Sequence, residues 1–397
     1  MKNFIDKISL GTTWFLSGIG FLFLILIYAF IFNNGFGLIN TQLLTGDYWS
    51  EVYYLNPSEE SIREFSAPDD LDGGYFSSKY GIVLKDYTTS QKDEVVMITY
   101  IDENSIFNSM KNETTGENQV LELNSDFNKV TYIIDDSYYT TGSSKKENAE
   151  TIVSNLEKSD SVYQIFIKTQ SGGIRGSIIA TVILIVTSIL LSMPVSIFAA
   201  IYLAEYSKKN IFTKIIRLGI ELLSGVPSII FGLVGLVIFY PIAEAFNAIG
   251  PTLLLGSLTM IIVLLPVSIK TVEETLYTVP DSLRESSLSL GATKFQTIFK
   301  VVLPSSLSGI LTALLLAIGR IIGETAALIY TIGTVVNDNP KLNTGGTTLA
   351  VQIWKEMSGE QPNIELASAI SLVILILVLV LNIIVKFISR RIEIKYS

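Results

Sequence analysis

A chain of 397 residues that is 49% hydrophobic and only 16% charged, with mean hydropathy +0.48, departs from the roughly 25% charge of soluble domains and reads as largely membrane-embedded. It has no cysteine and no histidine, which excludes disulfides, thiolate metal sites and the commonest general base and metal ligand. The net charge of −9 comes from one acidic segment rather than from the whole chain.

The first predicted element is a membrane span over about 12–32, around Phe21-Leu22-Phe23-Leu24-Ile25-Leu26-Ile27 and closed by Asn33-Asn34-Gly35. A helix needs about 20 apolar residues to cross a hydrocarbon core about 30 Å thick. The run is too long for a signal-peptide core and no small-residue cleavage site follows, so the segment is expected to remain as a span. Residues 40–172 are polar and hold about 10 Lys+Arg against about 23 Asp+Glu. That is a net charge near −13, which leaves the rest near +4. Short β-rich runs appear at Gly81-Ile82-Val83-Leu84, 95–100, 130–134 and 162–167, with one helix placing Ala149, Ile152, Val153 and Leu156 on a single face. This segment is predicted to be an independent α+β domain.

Further spans are predicted near 177–202, 215–240, 252–269, 305–331 and 367–387. The one at 215–240 is interrupted by Gly225-Val226-Pro227-Ser228. Such a break sits inside a membrane only where protein re-satisfies the freed backbone groups. It reads either as an anion site built from exposed amides or as a packing kink. Basic residues cluster at Lys2 and Lys7, at Lys208, Lys209 and Lys214, at Lys270, Arg284, Lys294 and Lys300, and at Lys386, Arg390, Arg391 and Lys395. With six spans all four clusters fall on one side, the cytoplasmic one. Both termini are then inside, and the acidic domain, 40–172, is extracytoplasmic.

The loop 277–304 is written as helix, turn, helix. Ser282 with Glu285 and Thr293 with Gln296 each have capping-box spacing. Gly291 stands between them, where a helix stop needs left-handed backbone. Leu283, Leu288, Leu290, Phe295, Ile298 and Phe299 supply apolar surface, and Pro304 marks entry to the next span. From the residues alone, an amphipathic hairpin on the membrane surface is equally compatible.

Glu285-Ser286-Ser287, three residues, Gly291, nine residues and Val301-Val302-Leu303-Pro304 resemble the EAA loop of ABC importer permeases, which reads Glu-Ala-Ala, three residues, Gly, nine residues, Ile-x-Leu-Pro. Serines replace both alanines and Val301 replaces the isoleucine. The resemblance implies that Arg284, Glu285, Ser286, Ser287, Gly291, Leu303 and Pro304 belong to a surface that docks on the ATPase subunit. Residues 172–331 further resemble the PstA-type phosphate permease subunit, through Gly225-Val226-Pro227-Ser228, Thr271-Val272-Glu273-Glu274-Thr275-Leu276, 279–285 and Arg320-Ile321-Ile322-Gly323-Glu324-Thr325-Ala326. Lys270 stands where that pattern has arginine, and Ala327 where it has proline. The resemblance does not reach 40–172.

It implies an all-α polytopic membrane protein of about six transmembrane helices, the type I importer permease fold, carrying the inserted extracytoplasmic α+β domain. It implies a bacterial inner-membrane location, a sister permease subunit forming a heterodimer, two copies of an ABC ATPase and an extracytoplasmic phosphate-binding protein. The chain itself is expected to bind no cofactor; ATP and magnesium belong to the ATPase. No nucleic acid is expected. Arg320 and Glu324, four residues apart on a predicted helix face, are the expected substrate path. A guanidinium matches phosphate bidentately. The plain alternative is a self-neutralising structural pair. Lys270 is a weaker path candidate at a span end, where lysines snorkel. Glu273 and Glu274 are expected to be solvated or paired with the loop, and Glu221 to pair with Arg217.

No P-loop occurs and the dipeptide Gly-Lys is absent, so energy is expected from a separate ATPase and the polypeptide is not read as an enzyme. A membrane sensor with an outer ligand domain is a rival, but there is no histidine to phosphorylate and no signalling domain in the sequence. A secondary carrier would leave the loop 277–304 unexplained. A permease for another oxyanion, or the sister phosphate subunit, stays open.

Overall fold

The computed structural model describes residues 2–48, 52–57, 64–68, 71–89, 93–113, 116–121, 123–168, 172–208, 210–359 and 362–396; Lys209 lies outside the described residues. The chain divides into two compact units, residues 1–39 with 176–397, and residues 40–175.

The first unit opens with α1 (Lys2–Gly35). The chain then enters the second unit through α2 (Thr41–Thr45), where the Asn40 side chain accepts the Leu43 N–H at 2.7 Å and so caps an orphan donor. Nine strands follow among the described residues: β1 (Val52–Pro57), β2 (Tyr75–Ser77), β3 (Ile82–Thr88), β4 (Glu94–Ile101), β5 (Met110–Asn112), β6 (Asn118–Gln119), β7 (Asp126–Ile134), β8 (Ser137–Thr141) and, after helix α3 (Ala149–Lys158), β9 (Ser161–Lys168). They form one sheet ordered β2-β3-β4-β7-β9-β1-β5-β6, with β8 on β7. Asp135 and Asp136, both at positive φ (47° and 59°), make the tight turn between β7 and β8. Aspartate tolerates left-handed backbone, and such turns match strand twist. Val130 faces Ile165 across β7 and β9, and both are fully buried. Ala149, Ile152 and Leu156 of α3 are also fully buried and join Ile82, Leu84, Phe107 and Phe127 in one core. Each of the isoleucine, leucine and phenylalanine side chains removed from water stabilises the fold by about 1.5–3 kcal/mol.

Entry and exit of this unit lie side by side. Ile174 N–H donates to Leu43 O at 2.8 Å and Gly173 N–H to Asp47 O at 3.0 Å. Arg175 meets Asp47 at 2.5 Å. A side chain at Gly173 would have its Cβ 2.0 Å from Gly46 O, so only glycine permits the two chain ends to touch.

The rest of the first unit is helical: α4 (Arg175–Ile201), a π-helical segment (Tyr202–Tyr206), α5 (Ile211–Ser224), α6 (Ser228–Ala245), α7 (Leu253–Thr278), α8 (Asp281–Ser289), α9 (Lys294–Thr297), a second π-helical segment (Ile298–Val302), α10 (Leu303–Ser305), α11 (Leu307–Gly323), α12 (Ala326–Thr331), α13 (Leu349–Ser358) and α14 (Ile364–Tyr396). Small residues set the spacing around α7. A Cβ at Gly235 of α6 would stand 2.2 Å from Thr259 Oγ1, and one at Gly309 of α11 would stand 2.1 Å from Thr275 Cγ2. Small residues at membrane-helix crossings permit this approach.

Five helical stretches among the described residues are long and apolar enough to cross a membrane: Leu10–Leu38, Arg175–Tyr206, Ser228–Ala245, Leu253–Thr278 and Ile364–Arg391. A sixth is reached if Lys294–Ser305 and Leu307–Gly323, bent by 66°, count as one. The expected interruption of 215–240 is a break between two helices, because Gly225 closes α5 and Pro227, which has no N–H, precedes α6. Two boundaries differ from expectation. Helix α7 runs on past Ile269 to Thr278, so Lys270 lies within it rather than after it. The segment 305–331 is not one helix: α11 stops at Gly323, and Glu324 is extended (φ −74°, ψ 127°). Helix α13 was not foreseen.

Candidate functional site

The loop 277–304 folds as two short helices around Gly291. Gly291 has φ +86°; its N–H donates to Leu288 O at 3.0 Å, and Ala292 N–H donates to Ser287 O at 3.2 Å. These paired bonds are a Schellman stop, which requires left-handed backbone after the helix. At α9, Thr293 Oγ1 accepts the Gln296 N–H at 3.3 Å and Gln296 Oε1 accepts the Thr293 N–H at 2.9 Å, the expected capping box. The other expected box does not form. Pro280 precedes α8 as its cap residue, so Ser282 lies inside the first turn, with no side-chain cap.

The loop presents an outward surface. Glu285, Ser286 and Gly291 are exposed, and Leu283, Leu288, Leu290 and Phe295 are exposed apolar side chains. Ser287 is half-buried and its hydroxyl pairs with that of Thr297 at 2.9 Å. Leu303 and Pro304 are half-buried where the chain turns into α11.

Arg284 faces inward instead. Nε and Nη2 donate to Glu205 Oε1 at 3.1 and 2.9 Å, Nη2 also to Leu276 O at 2.8 Å, and Nη1 to Val279 O at 2.6 Å and Asp281 Oδ1 at 3.1 Å. A guanidinium has five N–H donors, and all are in use. Sequence reasoning missed Glu205. Its signal was a carboxylate at the C-terminal end of an apolar helix, the unfavourable end of the macrodipole, which calls for a cation nearby.

The broken helix holds the other candidates. Glu324 is 8% exposed, and its Oε1 accepts the Ala327 N–H at 3.3 Å, satisfying a donor at the start of α12. Among the described residues no ion pair joins it to Arg320. The expected shared helix face assumed a continuous helix, and the unwinding at Glu324 removes it. Arg320 is half-buried, with its Nε buried and, among the described residues, without a hydrogen-bond partner. Gln352 of α13, fully buried with both side-chain amide atoms unpartnered among the described residues, adds polar capacity that the sequence did not reveal.

Lys270 is exposed and lines a separate cavity of about 310 Å³ with Arg217, Glu221, Glu273, Glu274 and Tyr277. Arg217 pairs there with Glu273 at 2.6 Å, not with Glu221, and the Tyr277 hydroxyl donates to Glu273 at 3.2 Å. Glu273 is therefore buried and tied to α5 rather than solvated or held by the loop. At the break, Gly225 and Val226 donate their amides to Leu222 O and Leu223 O, and Pro227 has none. Those three residues thus offer no free amide to an anion, which favours the packing reading at Gly225 and Pro227; Ser228 is the first residue of α6.

Residues 192–394 match the family described as binding-protein-dependent transport system inner membrane component. Over 251 residues the chain is 33% identical to the probable ABC transporter permease protein YqgI of Bacillus subtilis (strain 168), covering 57% of this chain and 83% of that protein. It is 36% identical over 224 residues to the phosphate transport system permease protein PstA of Yersinia pestis, covering 56% and 74%. It is 34% identical over 197 residues to the phosphate transport system permease protein PstC of Xylella fastidiosa (strain Temecula1 / ATCC 700964), covering 44% and 60%. The loop, the apolar helices and these matches agree, and the chain belongs to the family of inner-membrane components of binding-protein-dependent transport systems.

Proposed function

We propose that this permease is the PstA-type subunit of an ATP-driven phosphate importer. The observation that carries the reading is the loop 277–304: a Schellman stop at Gly291 and a capping box at Thr293 hold an exposed surface on two short helices, the form a landing site for a separate ATPase requires. Arg284 braces that surface, while Glu285, Ser286, Ser287, Gly291, Leu303 and Pro304 shape it. Arg320, with a buried unpartnered Nε beside an unwound segment, is the group that meets the anion. Unwound backbone within a spanning helix is where transporters build substrate sites. Glu324 holds the unwound shape, and Lys270 serves as an outlying cation on the path.

In this reading six spans cross the bacterial inner membrane, both termini and the loop are cytoplasmic, and the β-sheet unit is outside. The partners are a sister permease subunit, two ATPase copies that carry ATP and magnesium, and an extracytoplasmic phosphate-binding protein. The likeness to a PstC protein keeps the sister-subunit reading as the second one. Labelled-phosphate uptake by the assembled complex in proteoliposomes, with sulfate and molybdate as competitors, tests the assignment. Phosphate-dependent, ATP-dependent uptake is expected. Uptake driven by another oxyanion reassigns the substrate, and uptake without an ATPase subunit removes the importer reading.

A further inference from the structure

Three cations from three elements converge on one turn of chain. Helix α4 ends in the π-helical segment Tyr202–Tyr206, and the last carbonyls of a helix carry partial negative charge. Arg217 of α5 donates to Leu203 O at 3.2 Å. Lys294 of α9 donates to Glu205 O, and its Nζ stands 4.9 Å from the centre of the Tyr206 ring. Arg284 of α8 holds the Glu205 carboxylate, and the two side chains are 16% and 10% exposed. Because Arg284 also takes Leu276 O and Val279 O, it ties the end of α7 to the end of α4 through a single guanidinium. The second π-helical segment follows α9 directly, and its Ile298 and Val302 are buried in the same apolar cluster as Leu203. π-Helical turns recur at functional sites.

We propose that Glu205 is a positioning residue for energy coupling: its grip on Arg284 locks α8 to the end of α4, beside the Lys294 bond that brings in α9, so that displacement of the loop by the ATPase moves α4. This rests on reading the loop as the ATPase landing site. A pair that merely stabilised the loop would, when broken, lower assembly, ATP hydrolysis and uptake together. A pair that transmits motion would, when broken, leave hydrolysis running without transport.

The measurement is the ratio of ATP hydrolysed to phosphate taken up by the complete complex in proteoliposomes. In Glu205→Gln the ATPase is expected to remain bound and to hydrolyse within about twofold of the native rate, while uptake falls about tenfold, the scale of coupling between contacting residues. Glu205→Asp, which keeps the charge, is expected to recover part of the native ratio. A native ratio in Glu205→Gln, or a proportional loss of hydrolysis and uptake, overturns the proposal. The chain has no cysteine, so Glu205→Cys with Arg284→Cys can be bridged by a short, reducible thiol reagent. Bridging is expected to restore the ratio and reduction to abolish it again. No recovery on bridging, with hydrolysis still running, also overturns it. Absence of phosphate uptake by the native complex would instead overturn the importer assignment itself, so the two failures are distinguishable.

Discussion

Arg320 carries its charge into the helical unit with Nε buried and unpartnered, a state that costs free energy unless a ligand meets it during function. Because Glu324 is engaged with Ala327 N–H, Arg320→Gln does not strand a partner, and assembly with the other subunits is expected to be normal. Phosphate uptake is expected to fall about 100-fold, the worth of one or two charge-assisted hydrogen bonds. Near-native uptake per assembled complex would move Arg320 to the scaffold. Glu324→Gln keeps an acceptor for Ala327 and removes only the charge, so it separates the shape of the unwound segment from its electrostatics. In the β-sheet unit, Glu157 accepts bonds from Ser77 Oγ at 2.7 Å, Ser78 Oγ at 3.1 Å and Lys79 N–H at 3.2 Å. Burial pushes its carboxyl up, but these bonds outweigh it and hold the group below the usual glutamate range. The stability it contributes is present above that range and lost as pH falls through the depressed native value. Asp126 has the opposite sign: burial, only partly offset by bonds from Asn128 and Ser143, raises it, so its contribution is present at low pH and lost as pH rises through the raised value. Glu157→Gln is expected to flatten the acid limb of the unit's thermal-stability profile. An acid limb identical to that of the native unit would show that Glu157 has no part in it.

Among the elements, the turn between α8 and α9 rests on a single residue, Gly291, at φ +86°. No atom lies within 4 Å of a Cβ built at Gly291, so a substitution there acts through the backbone alone. Gly291→Val is expected to cost roughly 1–3 kcal/mol locally, splaying α8 from α9. Co-purification with the ATPase should weaken and ATP hydrolysis should no longer respond to substrate; normal association and coupling would mean that the turn tolerates another shape. This loop was legible because its signals are local: a glycine after a helix and a Thr-x-x-Gln pair act within five residues. Four of the strands, β3, β4, β7 and β9, were legible for the same reason, whereas β1, β2, β5, β6 and β8 were not read; α3 was legible too, its apolar spacing putting Ala149, Ile152 and Leu156 on the buried side. What escaped were choices made by distant partners. Arg217 could reach Glu221 on its own helix but pairs with Glu273 across to α7. Ser282 had cap spacing, yet the helix starts two residues earlier, with Pro280 as its cap residue. Glu324 had helical spacing to Arg320, but its carboxylate served the next helix instead. Glu205 was passed over because the partner its position called for, Arg284, stands 79 residues away in sequence.

For the molecule as a whole, the β-sheet unit has its own core and its own charge, and the family match begins only at residue 192. Expressed alone, residues 40–175 are expected to be soluble, monomeric and cooperatively folded, checked by coincident thermal transitions in near- and far-ultraviolet dichroism; a gradual, non-coincident melt would tie its folding to the helices. Its sidedness is tested with an engineered cysteine. Ser143 donates to Asp126 Oδ1 at 2.7 Å, whereas Ser144 is exposed, so Ser144→Cys is the better position. Labelling by an impermeant reagent in intact cells or spheroplasts is expected, and labelling only after lysis would reverse the topology. The contact between Leu43 and Ile174 has a consequence of another kind. A polypeptide that leaves and rejoins its host at one point behaves as a cassette. Its host needs only a short closure in its place, and closing a longer excursion costs little more than closing a brief one. Such a module can lengthen, shrink or be traded between lineages while the helices that do the transporting keep their spacing, so its history need not be theirs.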